Sequence, residues 1–249
     1  MRTIALVVEY DGTNYCGFQR QSSAPSVAAE LETALETLCG HPVRLVAAGR
    51  TDAGVHATGQ VVSFTTASEF PLRRLPVAAS ALLRERHVAV LKAVERPEGF
   101  SARFDALART YRYCILNRSA PSPLERHRVF HVSAELDLTA MRVAAQSLLG
   151  THDFAALCDG ERENQRTVRT ITRLEIEKEG DRVHIEMTAD SFLHRMVRIA
   201  VGTLVEVARG KRVPHELAEL LKSGKRARAG FTAPAHGLYL THVLYAEPI

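Results

Sequence analysis

Residues 48–60 hold the side chains best suited to chemistry. The base Arg50, the acid Asp52 and the histidine His56 lie there among three glycines. Glycine allows positive φ angles and a close approach of backbone to a ligand. Arg50 lies two residues before Asp52, so extended backbone would place both side chains on the same face. A guanidinium there would keep the carboxylate ionised and oriented. An ionised carboxylate can form covalent intermediates with sugars, so Asp52 is a candidate nucleophile.

Structural roles would explain the same three residues. Asp-Ala-Gly readily forms an Asx turn, in which Asp52 would be only a turn residue. Arg50 could be a surface cation that contacts phosphate or forms an exposed ion pair of little energetic weight. His56 could contact a substrate or cap the loop, and the sequence favours neither role.

The elements that must position these residues follow a regular order. Both flanks of residues 48–60 are apolar and rich in β-branched residues, which predicts a loop between two strands. A strand at 3–10 and a helix after Ser26 precede this loop. A helix near 75–84 and a strand at 88–91 follow it. The resulting order, βαββαβ, is the split βαβ unit of ferredoxin-like folds.

The second half repeats this order in outline. Strands are predicted at 109–116, 167–177, 182–189 and 238–245, and helices after Asp137, from Ser191 to Arg209 and near 214–222. We therefore expect an α/β (α+β) chain of two ferredoxin-like, RRM-like βαββαβ halves, residues 1–105 and 106–249. Their antiparallel sheets are expected to join and to leave a central active-site cleft.

Charge is distributed unevenly along the chain. The net charge is +4, and residues 1–105 carry equal numbers of basic and acidic residues, so residues 106–249 supply the whole excess. This excess permits a polyanionic partner without demonstrating one. The basic residues on predicted loops or strand ends are candidate contacts to such a partner: Arg20, Arg126, Arg128, Arg162, Arg166, Arg169, Lys222, Lys225, Arg226 and Arg228.

The four cysteines are scattered without a CxxC pair. That spacing argues against a zinc site and a disulfide scaffold, and it favours a reducing cytoplasm. The apolar run at the N-terminus is too short for a signal peptide, and no run approaches the length of a membrane span. We expect a cytoplasmic protein without a metal and without a membrane partner.

Five blocks of sequence, in order along the chain, resemble the bacterial tRNA pseudouridine synthase A family. The block at 49–56, Gly-Arg-Thr-Asp-Ala-Gly-Val-His, is very similar to the signature loop of that family. The other blocks lie at 9–21, 104–113, 192–198 and 233–240. Together they cover nearly the whole chain, and five blocks in the family's order are far more specific than one.

The resemblance implies an isomerase that converts uridine to pseudouridine in the anticodon stem-loop of tRNA, at family positions 38–40. It also implies a homodimer, with one tRNA contacting both subunits, and no metal. The reaction breaks the bond between N1 of uracil and C1′ of ribose and rejoins the base through C5, so it needs no cofactor. Asp52 is the expected nucleophile; attack at C1′, attack at C6 and a route through a glycal all stay open.

The resemblance also assigns substrate-binding residues. A base that leaves its stack needs an aromatic surface, and in the family the first tyrosine of a Tyr-x-Tyr pair supplies it. That tyrosine is Tyr111 here, although Tyr113 shares its strand face and both could be ordinary strand tyrosines. Arg198 matches a pocket arginine of the family; a buried ion pair with an acid such as Asp190 would also explain it. His56 is the third candidate for a substrate contact.

Two other functions fit parts of the sequence. A non-catalytic RNA-binding relative would keep the fold and use Asp52 structurally, and a small-molecule enzyme could be built on two ferredoxin-like halves. The joint presence of Arg50, Asp52 and Tyr111 disfavours both. The chain departs from the family at Arg195, where a histidine or asparagine is usual, so the role of Arg195 stays open.

Overall fold

The computed structural model describes residues 1–160 and 166–249, which form two compact units. The first unit joins Met1–Arg109 to Tyr239–Ile249, and the second is Thr110–Leu238. Each unit combines helices with strands that pair mostly antiparallel, which is the mixed α/β class that the sequence predicts. Arg162, one of the candidate contacts to a polyanion, lies outside the described residues.

The strands are β1 (Arg2–Tyr10), β2 (Val46–Ala47), β3 (His56–Thr66), β4 (Val88–Arg96), β5 (Ala108–Asn117), β6 (Phe130–Val132), β7 (Gly150–Asp153), β8 (Val168–Glu179), β9 (Arg182–Ala189) and β10 (Leu238–Leu244). The helices are α1 (Val27–Cys39), α2 (Leu75–Leu83), α3 (Leu138–Ala145), α4 (Met196–Ala208) and α5 (Glu216–Ser223).

The first unit contains the predicted βαββαβ order, formed by β1, α1, β2, β3, α2 and β4. β1 lies between β3 and β4 and pairs antiparallel with both. Two residue pairs join β2 to the other edge of β3. Because β1 and β3 are central, their β-branched residues are enclosed, and Ile4, Val8 and Val62 are all buried.

The last strand of the chain also belongs to the first unit. β10 runs parallel to the start of β3, with Tyr239 opposite His56 and Leu240 opposite Ala57. The two backbones come close because β3 carries Gly59, where a Cβ atom would lie 2.1 Å from the Thr241 carbonyl oxygen. The sequence division at residue 105 assigned this strand to the C-terminal half, whereas its contacts place it with the N-terminal half.

The second unit is built on the strand order β5-β9-β8-β7, with β6 parallel to β5. β8 and β9 form a hairpin whose turn contains Gly180 with φ +57°. α3 packs against α4 and against β8. Asp137 caps α3 as predicted, because its side chain accepts hydrogen bonds from the backbone of Thr139 and Ala140.

Two predicted boundaries are wrong, and local backbone explains both. α4 begins at Met196 and not at Ser191, because Arg195 adopts a left-handed φ of 60° that an α-helix cannot contain. The loop predicted at residues 48–60 ends at Val55, because His56 already pairs within β3. His56 is therefore a strand residue.

Candidate active site

Asp52 lies at the start of a tight turn that backbone hydrogen bonds close. The Val55 N–H donates to the Asp52 carbonyl at 3.1 Å, and the Gly54 N–H donates to the Tyr15 carbonyl at 3.2 Å. Gly54 supplies the positive φ of 76° that the turn requires. Asp52 is half-buried. Carbonyl oxygens already accept from the N–H groups of Val55 and Gly54, which weakens the Asx-turn explanation.

The block near the N-terminus holds this loop in place. The Phe18 N–H donates to the Thr51 carbonyl at 3.1 Å, and the hydroxyl groups of Tyr10 and Thr51 are hydrogen-bonded at 2.8 Å. Tyr10 and Phe18 are both buried. The residue before Asp52 is thus fixed through its backbone and its side chain, so the position of the carboxylate is set by a packed support.

Two glycines make this close packing possible. A Cβ atom on Gly12 would lie 2.0 Å from the Val55 carbonyl oxygen, and one on Gly17 would lie 2.9 Å from the Thr51 carbonyl oxygen. Both separations are shorter than contacts between non-bonded atoms allow. The two glycines of the block at 9–21 therefore let its backbone lie directly against the backbone of the block at 49–56.

His56 is part of the same support. Its side chain is enclosed, with the residue 1% exposed, and its ring stacks on Tyr239 with centroids 4.8 Å apart. Its Nδ1 accepts the Gly12 N–H at 3.1 Å and lies 3.2 Å from Asp11 Oδ1. These contacts give His56 a structural role in the support of the loop, and its predicted substrate contact stays a prediction.

Arg109 and Gln60 hold the other end of the loop. The Gln60 side chain donates to the Gly49 carbonyl at 2.8 Å. Arg109 donates to the Ala48 carbonyl from Nε at 3.1 Å and from Nη2 at 2.9 Å. Sequence reasoning missed both residues. The available signal for Arg109 was its period-two spacing with Tyr111 and Tyr113 along one strand.

The predicted ion pair between Arg50 and Asp52 is not formed in this structure. Arg50 is exposed, and its side chain makes no hydrogen bond or ion pair with any residue of the two described ranges. Arg50 is exposed, whereas Asp52 is half-buried at the start of the turn to Val55. An exposed guanidinium two residues from the acid suits an anionic ligand.

Tyr111 and Tyr113 lie on one face of β5, as predicted, but their surroundings differ. Tyr113 is fully buried, its hydroxyl donates to the Pro234 carbonyl at 2.8 Å, and burial raises its pKa well above the usual value. Tyr111 packs edge-to-face against Phe192, with ring centroids 5.1 Å apart. Both tyrosines are buried, Tyr113 completely and Tyr111 to 7% exposure, so Tyr111 is the more accessible of the two and stays the candidate for stacking on a ligand.

Arg198 lies in the first turn of α4 and is half-buried. Its Nε donates to the Ala233 carbonyl at 2.8 Å, and the Ala233 N–H donates back to the Arg198 carbonyl at 3.0 Å. Burial raises the pKa of Tyr113, and the charge of Arg198 partly offsets that effect, so the guanidinium lies near the phenol. Two late sequence blocks, 192–198 and 233–240, are thus joined at Arg198.

Arg195 and Arg226 share one carboxylate. Arg226 Nε donates to Asp159 Oδ1 at 2.7 Å, and Arg195 Nη1 donates to Oδ2 at 3.1 Å. Partial burial alone would raise the pKa of Asp159, but the hydrogen bonds from Arg226 and Arg195 outweigh it and lower that pKa. Arg226 also donates to the Gly230 carbonyl and to Thr232 Oγ1. The Arg226 guanidinium is therefore engaged by hydrogen bonds within the protein, which makes it a poor candidate for a phosphate contact.

The five predicted site residues divide between the two units. Arg50, Asp52 and His56 belong to the first, and Tyr111 and Arg198 to the second. Within the described residues, no group of three or more His, Cys, Asp or Glu side chains is arranged to hold a metal ion. Over the same ranges, no helix is both long and apolar enough to cross a membrane.

The chain matches known proteins over nearly its whole length. A family model described as tRNA pseudouridine synthase matches residues 6–105 and 144–246. The tRNA pseudouridine synthase A of Acetivibrio thermocellus is 45% identical over 245 residues, which cover 98% of this chain and 100% of that protein. The tRNA pseudouridine synthase A of Caulobacter vibrioides is 43% identical over 242 residues, which cover 97% and 98%. The chain belongs to the tRNA pseudouridine synthase family.

Proposed function

We propose that this protein converts uridine to pseudouridine in the anticodon stem-loop of tRNA, at family positions 38–40, with Asp52 as the nucleophile. The observation that carries the proposal is the match to enzymes named tRNA pseudouridine synthase A, which spans 98% of the chain and includes the loop of Asp52. A cytoplasmic homodimer, with one tRNA contacting both subunits, is part of the same proposal.

The reaction requires a nucleophile held in a fixed position, and the loop of Asp52 provides one. The base leaves C1′ of ribose, turns and is rejoined through C5, so C5 loses a proton and N1 gains one. A carboxylate can form a covalent intermediate in such a displacement, and no electron is transferred. The rigid support of Thr51 fits this role, because a nucleophile is effective only when its position is held.

The family resemblance supports the roles proposed for Tyr111 and Arg198, and the surroundings of Arg50 and His56 support theirs. Tyr111 stacks on the extruded base, and Arg198 lines the pocket that receives it. Arg50 contacts the RNA backbone, because it is exposed and carries a guanidinium suited to phosphate. His56 supports the loop of Asp52 by accepting a hydrogen bond from the Gly12 N–H.

Incubation of the protein with an unmodified tRNA transcript tests this function. We expect pseudouridine at position 38, 39 or 40 wherever the transcript carries uridine there, as detected by carbodiimide labelling and primer extension. A transcript with cytidine at all three positions is the control. Tight binding without any pseudouridine would support the non-catalytic RNA-binding alternative instead.

Substitutions of Tyr111 and Tyr113 should separate the two tyrosines. Tyr111→Ala should weaken RNA binding by ~1–3 kcal/mol, because a base loses its stacking surface, whereas Tyr111→Phe should bind as the unaltered protein does. Tyr113→Phe should lower the free energy of unfolding by about 1 kcal/mol, since its hydroxyl satisfies the Pro234 carbonyl, without changing RNA affinity. Anisotropy titrations and chemical denaturation measure these effects. If Tyr111→Ala binds normally, the stacking role belongs to another residue.

RNA affinity should depend steeply on salt although the net charge is only +4. Each phosphate contact contributes about −0.7 to −0.9 to the slope of log affinity against log salt, and we expect a total steeper than about −3. Lys225 and Arg228 are exposed, and neither side chain has a hydrogen bond or ion pair in the part of the chain that the structure describes. Replacing either by alanine should flatten the slope by about one contact.

Arg173 provides the matched control for these titrations. It is exposed but forms ion pairs with Glu175 and Glu186, so Arg173→Ala should leave the slope unchanged. A nearly flat slope for the unaltered protein would mean that stacking and shape dominate recognition and would contradict the argument from charge.

A further inference from the structure

Phe104 is the most exposed aromatic side chain of the described residues, with 80% of its surface accessible. An isolated exposed apolar residue is common in proteins and needs no explanation by itself. The turn that carries Phe104, residues 101–105, is different because its backbone is held at nearly every residue. Such rigidity is unnecessary for a residue that only faces solvent.

Hydrogen bonds within the turn and to the core fix this geometry. The Ser101 N–H donates to Asp105 Oδ2 at 2.7 Å, and the Asp105 N–H donates to the Ser101 carbonyl at 3.1 Å. The Ala102 N–H donates to Ser63 Oγ of β3 at 2.9 Å. The buried Tyr245 hydroxyl donates to the Ala102 carbonyl at 2.6 Å. The ring of Phe104 is therefore carried by a rigid turn and not by a flexible loop.

Arg109 connects this turn to the loop of Asp52. Its Nη2 donates both to the Arg103 carbonyl at 2.7 Å and to the Ala48 carbonyl at 2.9 Å. Its Nη1 donates to the Ala106 carbonyl at 3.0 Å. One guanidinium thus bonds both to the residue before Phe104 and to the start of the loop that carries Asp52, which fixes their relative position.

The chemistry around the ring suits a nucleobase. The Arg103 guanidinium lies over the ring of Phe104, 5.4 Å from its centroid. Aromatic rings and arginine planes together are the groups on which unpaired bases stack, and the cation also attracts the neighbouring phosphate. We propose that Arg103 and Phe104 form a stacking site for an unpaired nucleobase of the RNA substrate. This proposal rests on the proposed function, since it needs an RNA ligand.

A second copy of the chain is the other occupant to consider. Leu107 and Leu244 are also exposed, and the Leu107 N–H donates to the Leu244 carbonyl at 2.8 Å, so apolar surface is available to a protein partner. The charge on Arg103 favours RNA, because a guanidinium over the ring suits a polyanion better than an apolar protein face.

The test measures binding of an unmodified tRNA transcript to variants of the full-length protein. Phe104→Ala should weaken binding about 5- to 150-fold, the range expected for one lost stacking contact. Phe104→Trp should retain affinity and Phe104→Leu should not, because stacking needs a π face and not apolar area. Leu124→Ala is the matched control, since Leu124 is 90% exposed and lies outside this turn. All four should keep the melting temperature.

Several results would overturn the proposal. Unchanged binding by Phe104→Ala would remove the stacking site, and if that variant still forms pseudouridine the proposed function stands. Full rescue by Phe104→Leu, or a change of oligomeric state of Phe104→Ala in sedimentation, would identify a contact between protein chains. Absence of RNA binding by the unaltered protein would refute the proposed function and this site together.

Discussion

Asp52→Asn should reduce the rate of pseudouridine formation by at least about 10³-fold while RNA affinity stays within a few-fold of the unaltered protein. The amide keeps the shape of the side chain and removes the nucleophilic oxygen, whereas binding rests on stacking and on many phosphate contacts. Single-turnover rates at saturating enzyme and anisotropy titrations measure the two quantities separately.

Stability should not change in this variant. The turn at Asp52 is closed by the backbone of Val55 and Gly54, so the amide should fold as the carboxylate does. Mass spectrometry of the purified variant must exclude deamidation, which would restore the acid. Turnover by the pure amide near the normal rate would exclude Asp52 as the nucleophile.

Gly12→Ala should be the most damaging substitution outside the residues that touch the substrate. The added methyl group would lie 2.0 Å from the Val55 carbonyl oxygen, so one of the two backbones must move. Overpacking of this kind costs ~1–3 kcal/mol in the free energy of unfolding. A displacement of about 1 Å at a reacting group can reduce the rate about 100-fold, and we expect a loss of that size in single-turnover rate.

Gly40→Ala separates lost stability from lost geometry. Gly40 ends α1 with φ +75°, and a Cβ atom there would meet nothing within 4 Å. The variant should therefore lose about 1–2 kcal/mol through backbone strain and keep its single-turnover rate. If Gly12→Ala and Gly40→Ala lose activity only in proportion to their stability, the contact between Gly12 and Val55 does not position Asp52.

The sequence predicts local structure well here because local signals decide it. Ser26 and Gly40 mark the ends of α1 through one side-chain hydrogen bond and one left-handed backbone, both of which involve neighbouring residues. The shared face of Tyr111 and Tyr113 follows from the period of a strand. The family resemblance identifies Asp52 as the candidate nucleophile, whereas the Asp-x-Gly pattern alone favours a turn residue.

The errors and omissions concern contacts between residues that are distant in sequence. Arg109 bonds to Ala48, which lies 61 residues away, and no local pattern indicates that partner. The ring of His56 stacks on Tyr239, so its burial depends on a strand from the other end of the chain. The Arg50 side chain forms no ion pair with any described residue, and the spacing of Arg50 and Asp52 along the chain does not indicate this.

The place of β10 has a consequence for how the protein is made. Residues 239–249 are synthesised after the whole of Thr110–Leu238, yet they complete the unit that contains Met1–Arg109. Domains generally fold as their chains emerge, with the N-terminal one first. In this protein Thr110–Leu238 can fold while the first unit still lacks an edge partner for β3. The loop of Asp52 therefore gains its full support only after Thr110–Leu238 has been synthesised, and a chain that stops before residue 239 carries Asp52 without the Tyr239 that packs on His56.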